Sequence, residues 1–365
     1  MALLRTFAIL SLVLGIVASS SAEVLSLHGR PSLVLEGTTA RIAIDLGGGS
    51  ISEFRLQNSP LNPLKWGNQG PTNQARPLGH FLCLDRWGQP SPGEARHGMP
   101  FHGEAANVHW KILEKPAISN GAVRAALSAE LPLAGLAVRR KVFLSTTNAW
   151  CVVEEEVENL RKLGRVFNMV QHPTIGPPFL DESTIVDCNA TKGFMQSSPL
   201  PNPEEPQITW PFAPRTGTTV DLRFLRDNHD PSVTSFILAS EYGWVTAANP
   251  EKRLLIGYIW KRADYPWFNA WRFSAEGRPV ARGLEFGTTG LHQPYPVLVR
   301  KARIFETPLF EYIDAGEKIK KSYAFFLLAI PPDYKGVEKL ELKNQRLVLQ
   351  ERDSKRELTI DGPAL

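Results

Sequence analysis

Ala40–Phe54 reads ARIAIDLGGGSISEF. Apolar and polar residues alternate up to Gly47-Gly48-Gly49 and alternate again beyond it, which is the pattern of two strands joined through a tight turn. A phosphate-binding loop would need a Lys-Ser/Thr pair after the glycines and the start of a helical period, and neither is present. The chain therefore opens as a β hairpin, and the same grammar recurs downstream. Strand-like segments follow at Val108–Glu114, Val123–Leu131, Ala137–Ser145 and Trp150–Asn159. The last, WCVVEEEVEN, puts Cys151, Val153 and Val157 on one face and Glu154, Glu156 and Glu158 on the other, so these glutamates read as a solvated strand face and not as a metal site.

Further strands are expected at Ser183–Asn189, Val220–Leu225, Val233–Ser240, Gly243–Ala248 and Arg253–Trp260, the last two joined by an Asn249-Pro250-Glu251-Lys252 turn. Between them a proline-rich excursion, Pro199–Pro214, should stay out of any sheet. Helical periodicity is nearly absent. Glu311–Lys321 is the best helix candidate, and Leu340–Ile360 reads as a closing hairpin turning at Asp353-Ser354-Lys355. With no internal repeat and no linker-like stretch, the economical fold class is all-β: one large antiparallel domain over residues 23–365, with few helices and a C-terminal hairpin.

Residues 1–22 have the grammar of a secretory signal: Arg5, an apolar run from Phe7 to Ala18, and small residues Ser20-Ser21-Ala22 before a cleavage point. That apolar run is shorter than the ~20 residues of a membrane span. The expectation is a secreted or periplasmic protein beginning near Glu23, with no membrane association after cleavage. A net charge of +4, scattered along the chain, argues against a nucleic-acid or other polyanion partner. Three cysteines, Cys83, Cys151 and Cys188, allow at most one disulfide, and Cys151 reads as a small core residue.

Two stretches hold most of the candidate chemistry. Ser59–Pro100 is rich in Pro, Gly, Asn and Gln, carries Trp66, Phe81 and Trp87, and runs into HGMPFHGE at His97–Glu104. Loops of this length on β scaffolds are usually functional. Asn168–Asp181, NMVQHPTIGPPFLD, sets His172 where a strand gives way to a Gly-Pro-Pro turn. Zinc ligation by His97, His102 and Glu104 lacks further ligands at sensible spacing.

The order of these motifs, His102-Gly103, then Asn168…His172-Pro173, then Gly283-Leu284-Glu285-Phe286-Gly287, resembles the galactose mutarotase-like superfamily, which includes aldose 1-epimerases. The Gly-rich first hairpin followed by Asn62-Pro63-Leu64-Lys65-Trp66 is similar to that superfamily's opening, and the resemblance spans roughly residues 35–330. It implies a twisted antiparallel β-supersandwich that binds a monosaccharide or oligosaccharide on the concave face of one sheet, with no metal or cofactor. It also implies roles: Glu285 takes the proton of the C1 hydroxyl, His172 protonates the ring oxygen, and His102 assists by hydrogen bonding. His97, which also precedes a glycine, competes with His102.

The setting departs from the best-known mutarotases. Pro-Thr-Ile-Gly-Pro-Pro follows His172 where those enzymes carry a serine and aromatics, and Gly-Leu-Glu-Phe-Gly-Thr-Thr surrounds Glu285, so the resemblance is to an atypical branch. Arg86 is a candidate for gripping sugar hydroxyls, with a structural pair to Asp85 as the alternative. Of Tyr265, Trp267, Phe268 and Trp271, one is expected to face a sugar, with Trp267 and Trp271 the candidates. Three functions compete: an exported aldose 1-epimerase-like isomerase, a non-catalytic carbohydrate-binding protein, and a polysaccharide lyase or glycoside hydrolase, the last normally needing two facing carboxylates.

Overall fold

The computed structural model describes residues 24–67, 74–226 and 228–362, so the signal segment expected at 1–22 lies outside the described residues. Among them two antiparallel sheets dominate, of fourteen and eight strands. The larger runs from Val24–Leu27 at one edge through the Ala40–Asp45 and Ile51–Leu56 hairpin to a central group. That group is His80–Asp85, Arg165–Ile175, Arg278–Gly287 and Trp267–Ala275 in spatial order, followed by Val233–Leu238 and Ala190–Met195. The smaller sheet places Tyr242–Asn249, Leu254–Lys261, Lys318–Ala329, Trp150–Asn159, Leu136–Ser145, Ala122–Leu131 and Lys111–Ser119 side by side after Ile185–Cys188.

Alternation within the strands explains how the sheets stack. Leu82, Leu84, Met169, Leu284 and Phe286 from the larger sheet meet Val153, Val157, Tyr258, Tyr323 and Phe325 from the smaller in one buried core. The Trp150–Asn159 strand has the expected boundaries and faces, and Arg139 and Lys141 stand opposite Glu156 and Glu154 on its solvated side. Its inward row hides a charge. Glu155 is buried, accepting from Arg140 Nε at 2.7 Å and from Gln171 Nε2 at 2.6 Å, a paired and hydrogen-bonded arrangement that offsets its desolvation.

The other face of the smaller sheet is covered by the chain's end. Residues expected to form a hairpin form a three-stranded meander, Val337–Lys343, Arg346–Glu351 and Glu357–Asp361. Its first turn places Asn344 and Gln345 in the left-handed region, at φ 48° and 60°, and no glycine announces it in the sequence. Val337, Leu340, Leu347, Leu349 and Ile360 pack on Val152, Trp244, Ile259 and Phe326. Asp187, buried, fastens the layer by accepting from Arg223 Nε at 2.6 Å, Val337 N at 2.9 Å and Arg352 Nη2 at 3.3 Å.

Other expectations are corrected by long-range pairing. Glu311–Lys321 is not a helix: it is the strand Glu311–Ile313, which pairs with Arg165–Phe167, and the start of Lys318–Ala329, which pairs along Trp150–Asn159. Tertiary pairing overrides a weak local period there. Among the described residues the α-helices are Pro92–Arg96, with a Ser91/Glu94 capping box, and Tyr295–Lys301, beside a 3₁₀ turn at Ala105–Asn107. The proline-rich excursion does enter a sheet, as Ile208–Thr209 and Phe212–Arg215, and the strand beyond it is Thr218–Asp221. Pro214 is tolerated because these short strands lie at the sheet's outer end. All three cysteines are buried free thiols.

Candidate functional site

His172 stands inside its strand, Arg165–Ile175, and not at the junction beyond it. Odd-numbered residues of that strand face the core, which leaves Val170 and His172 on the opposite face of the fourteen-stranded sheet. Strand register then brings the distant carboxylate to it. Gln171 pairs with Phe286 and Thr174 with Gly283, so His172 stands across from Glu285 on the neighbouring strand, both pointing away from the core. On the other side Phe81 pairs with His172 and stacks on its ring at 4.1 Å.

The result is a short chain of directed hydrogen bonds. His172 Nε2 lies 3.1 Å from Glu285 Oε1, and His172 Nδ1 lies 3.0 Å from Thr174 Oγ1. Trp87 Nε1 donates to Glu285 Oε2 at 2.7 Å. An indole N–H can only donate, so Oε2 must accept, and any proton held by the carboxyl sits on Oε1, facing the imidazole. Glu285 and His172 are 1% and 5% exposed. Burial raises the Glu285 carboxyl well above the carboxylate range, against the opposing effect of Trp87, and burial lowers His172 to about 3. Both directions favour one proton shared between Oε1 and Nε2 with no net charge on the pair.

His102 joins the pair, its ring centroid 5.4 Å from that of His172. Its backbone is left-handed, at φ 65°, and its Nδ1 accepts the Gly88 N–H at 3.0 Å. In the neutral ring this makes Nε2–H the free donor. Burial, with His172 and His292 nearby, keeps His102 well below the ordinary histidine range and therefore neutral at neutral pH. His292 completes a trio of imidazoles, 5.6 Å from His102 and edge-on to Trp87 at 4.6 Å, and burial lowers it to about 4.

Several expected site residues are elsewhere or otherwise engaged. His97 is exposed at the end of the Pro92–Arg96 helix, with Nδ1 on Gly93 O at 2.8 Å, and takes no part. Arg86 does not offer a free fork: it is buried and held by Asp85 at 2.6 Å and Glu94 at 2.7 Å, the structural alternative. Trp267 is on the correct face of its strand but is roofed by Leu291, Leu298 and Leu309, and its Nε1 donates to Pro308 O, so it is core. Trp271 does line the site, 5.9 Å from His172 and 5.9 Å from Trp66. Glu104 is no metal ligand, since its carboxylate accepts Leu133 N and Ala134 N. Among the described residues no cluster of His, Cys, Asp or Glu is arranged to hold a metal ion.

Sequence reasoning missed Trp87 as the carboxyl's partner and missed His292 altogether. The only signal for His292 is its place in the loop directly after the Glu285 strand. A surface depression of about 670 Å³, lined by Gln57, Asn148 and the exposed Arg346–Asp361 pair, shares no lining residue with this chemistry and gathers no acid–base dyad.

No protein-family model matches the chain, and no curated protein matches it in sequence. Solved structures do. A galactose mutarotase-like protein from Clostridium acetobutylicum is similar over 82% of this chain and 96% of its own, with TM-score 0.59 and 13% identity. A galactose mutarotase-like protein from Lactobacillus casei is similar over 81% and 100%, with TM-score 0.58 and 15% identity. A galactose mutarotase related enzyme from Lactobacillus acidophilus matches over 82% and 98%, with TM-score 0.58 and 11% identity. The fold is thus that of the galactose mutarotase-like proteins, as the motif order implied.

Proposed function

We propose that this protein is an exported carbohydrate-active isomerase that interconverts the anomers of an aldose by acid–base opening of the hemiacetal ring. The observation that carries the reading is the contact between His172 Nε2 and Glu285 Oε1 on a mutarotase-like fold, with His102 beside it. Ring opening removes a proton from the C1 hydroxyl and delivers one to the ring oxygen, both bonded to one carbon. A dyad sharing one mobile proton has the stoichiometry for this, because it accepts at one atom what it gives from the other, without metal or covalent intermediate.

Either partition of the proton serves. With the carboxyl ionised, Glu285 is the base and His172 the acid, the roles the resemblance implies. With the proton on Oε1, the partition that burial favours, His172 Nε2 is the base and Glu285 the acid. His102, donating through Nε2–H, is suited to hold the C1 oxygen as it gains charge. Export rests on Arg5, the Phe7–Ala18 apolar run and the small residues before Glu23, and implies a secreted or periplasmic site of action.

NMR saturation exchange between sugar anomers tests the reading. The purified protein is expected to speed α/β exchange for at least one common aldose or uronic acid, and exchange at the uncatalysed rate across that set overturns it. The mutual satisfaction of His172 and Glu285 in so buried a pair favours a second reading, a binding protein whose histidines only hydrogen-bond hydroxyls. Saturable sugar binding without exchange would select it.

A further inference from the structure

The rings around the dyad do not stop at it. Phe81 stacks on His172 at 4.1 Å and on Trp66 at 6.0 Å, and Trp66 meets Trp271 edge-on at 5.9 Å. Trp271 and Phe273, two residues apart on one face of their strand, are stacked with planes only 13° apart and centroids 6.3 Å apart. His229 borders Phe273 at 5.4 Å. Together they form a continuous aromatic strip leading away from the acid–base pair along the outward face of the sheet.

The strip becomes more open with distance from the dyad. At the opposite end the same face is closed by the segment that buries Trp267. Toward Phe273 it is not: Phe273 is 38% exposed, and Trp271 is half-buried. Along the adjacent strand the residues paired with Trp271 and Phe273 are Gly283 and Ala281. A side chain at Gly283 would stand 2.6 Å from Glu285 Oε1 and 3.0 Å from Trp271 Cβ, so its absence keeps the floor low between carboxyl and indole.

A half-buried indole and an exposed phenyl ring, parallel to each other and continuous with an acid–base pair, offer aromatic surface to the C–H faces of successive pyranose rings. We propose that Trp271 and Phe273 form a platform for an oligosaccharide, binding sugar units beyond the one whose reducing end reaches His172 and Glu285. The inference rests on the sugar-directed reading of the dyad and deepens it from monosaccharide to a chain of linked sugars. His229 and Trp66 bound the platform, and His172 marks the end at which the hemiacetal carbon lies.

The test is titration of the full protein with glucose, galactose and malto-, cello- and galacto-oligosaccharides of two to five units, read by calorimetry and by the indole NMR signals. Affinity should rise by about tenfold from monosaccharide to trisaccharide in at least one series. Phe273→Ala should flatten that rise, and the Trp271 indole resonance should shift with the longer ligands. No gain in affinity with chain length in any series, or a gain that Phe273→Ala leaves intact, overturns the platform. Anomer exchange decides the dyad separately. Length-dependent binding lost in Phe273→Ala without any exchange would keep the platform and remove the isomerase, and exchange without length dependence would do the reverse.

Discussion

The indole N–H of Trp87 donates to Glu285 Oε2 while His172 occupies Glu285 Oε1, so the two oxygens of one carboxyl have different tasks. One is a fixed acceptor and the other faces the imidazole with which it shares a proton. This division follows from chemistry that can only run one way at the indole, and it makes Trp87 a positioning residue for the dyad.

Replacing Trp87 by Phe leaves Glu285 Oε2 buried without a partner, at a cost of about 1–3 kcal/mol. If that energy is needed to align the proton with the substrate, kcat for anomer exchange falls roughly ten- to a hundredfold while KM changes less. The ¹⁵N signals of the His172 ring give an independent reading. In the native protein Nε2 should appear as an unprotonated acceptor, and in Trp87→Phe its titration should move. An unchanged His172 spectrum would show that Trp87 only packs.

Glu285→Gln keeps the shape and an acceptor for Trp87 but supplies no transferable carboxyl proton. Anomer exchange should drop by about 10²–10⁴-fold, the usual worth of a positioned proton transfer, with saturable sugar binding retained. Residual exchange near the native rate in that variant would place the chemistry on other groups.

His292 gives the stability of the chain a pH dependence with a defined sign. Burial holds it to about 4 in the folded protein, below its ordinary value of 6.5, so the unfolded chain takes up a proton first as the pH falls. The stabilisation is complete above the ordinary histidine range and is lost between there and about 4. Thermal unfolding at pH 7 and pH 4.5 should show His292→Asn recovering on the order of 1–2 kcal/mol of the acid loss. His172 and His102 act in the same direction, so the variant removes only part of it.

Asp187 is a second place where one side chain holds much together. Asp187→Ala removes the acceptor of Arg223, Arg352 and the Val337 N–H at once and leaves the donors partly buried. A loss of about 3–5 kcal/mol is expected from breaking such a buried pair. Limited proteolysis should show the C-terminal meander released first, and cleavage patterns identical to those of the native chain would show that the apolar contact alone retains it.

The sequence made the fold class legible because period-two alternation is a local signal, and Trp150–Asn159 shows it with its boundaries intact. His172, Glu285 and His102 were legible only through the order of short motifs. What brings them together is register between strands far apart in the chain, which no local pattern encodes. The same gap explains the misses. Arg86 looks free until Glu94 folds back on it, Trp267 looks like a groove residue until Leu298 and Leu309 cover it, and Glu311–Lys321 looks helical until Trp150–Asn159 supplies its partner. His292 has no motif at all and is recognisable only by the rings it meets.

The strand register that sets His172 beside Glu285 also has a kinetic side. The four central strands arrive from three distant parts of the chain: His80–Asp85 from the first, Arg165–Ile175 from the middle, and the hairpin of Trp267–Ala275 and Arg278–Gly287 from much later. Contacts between such remote segments require large loops to close before any packing rewards them, and chains built this way fold slowly. During synthesis the edge of Arg165–Ile175 that pairs with Arg278–Gly287 stays unpaired until the hairpin follows. The dyad therefore comes into being only when the last central strand, Arg278–Gly287, docks.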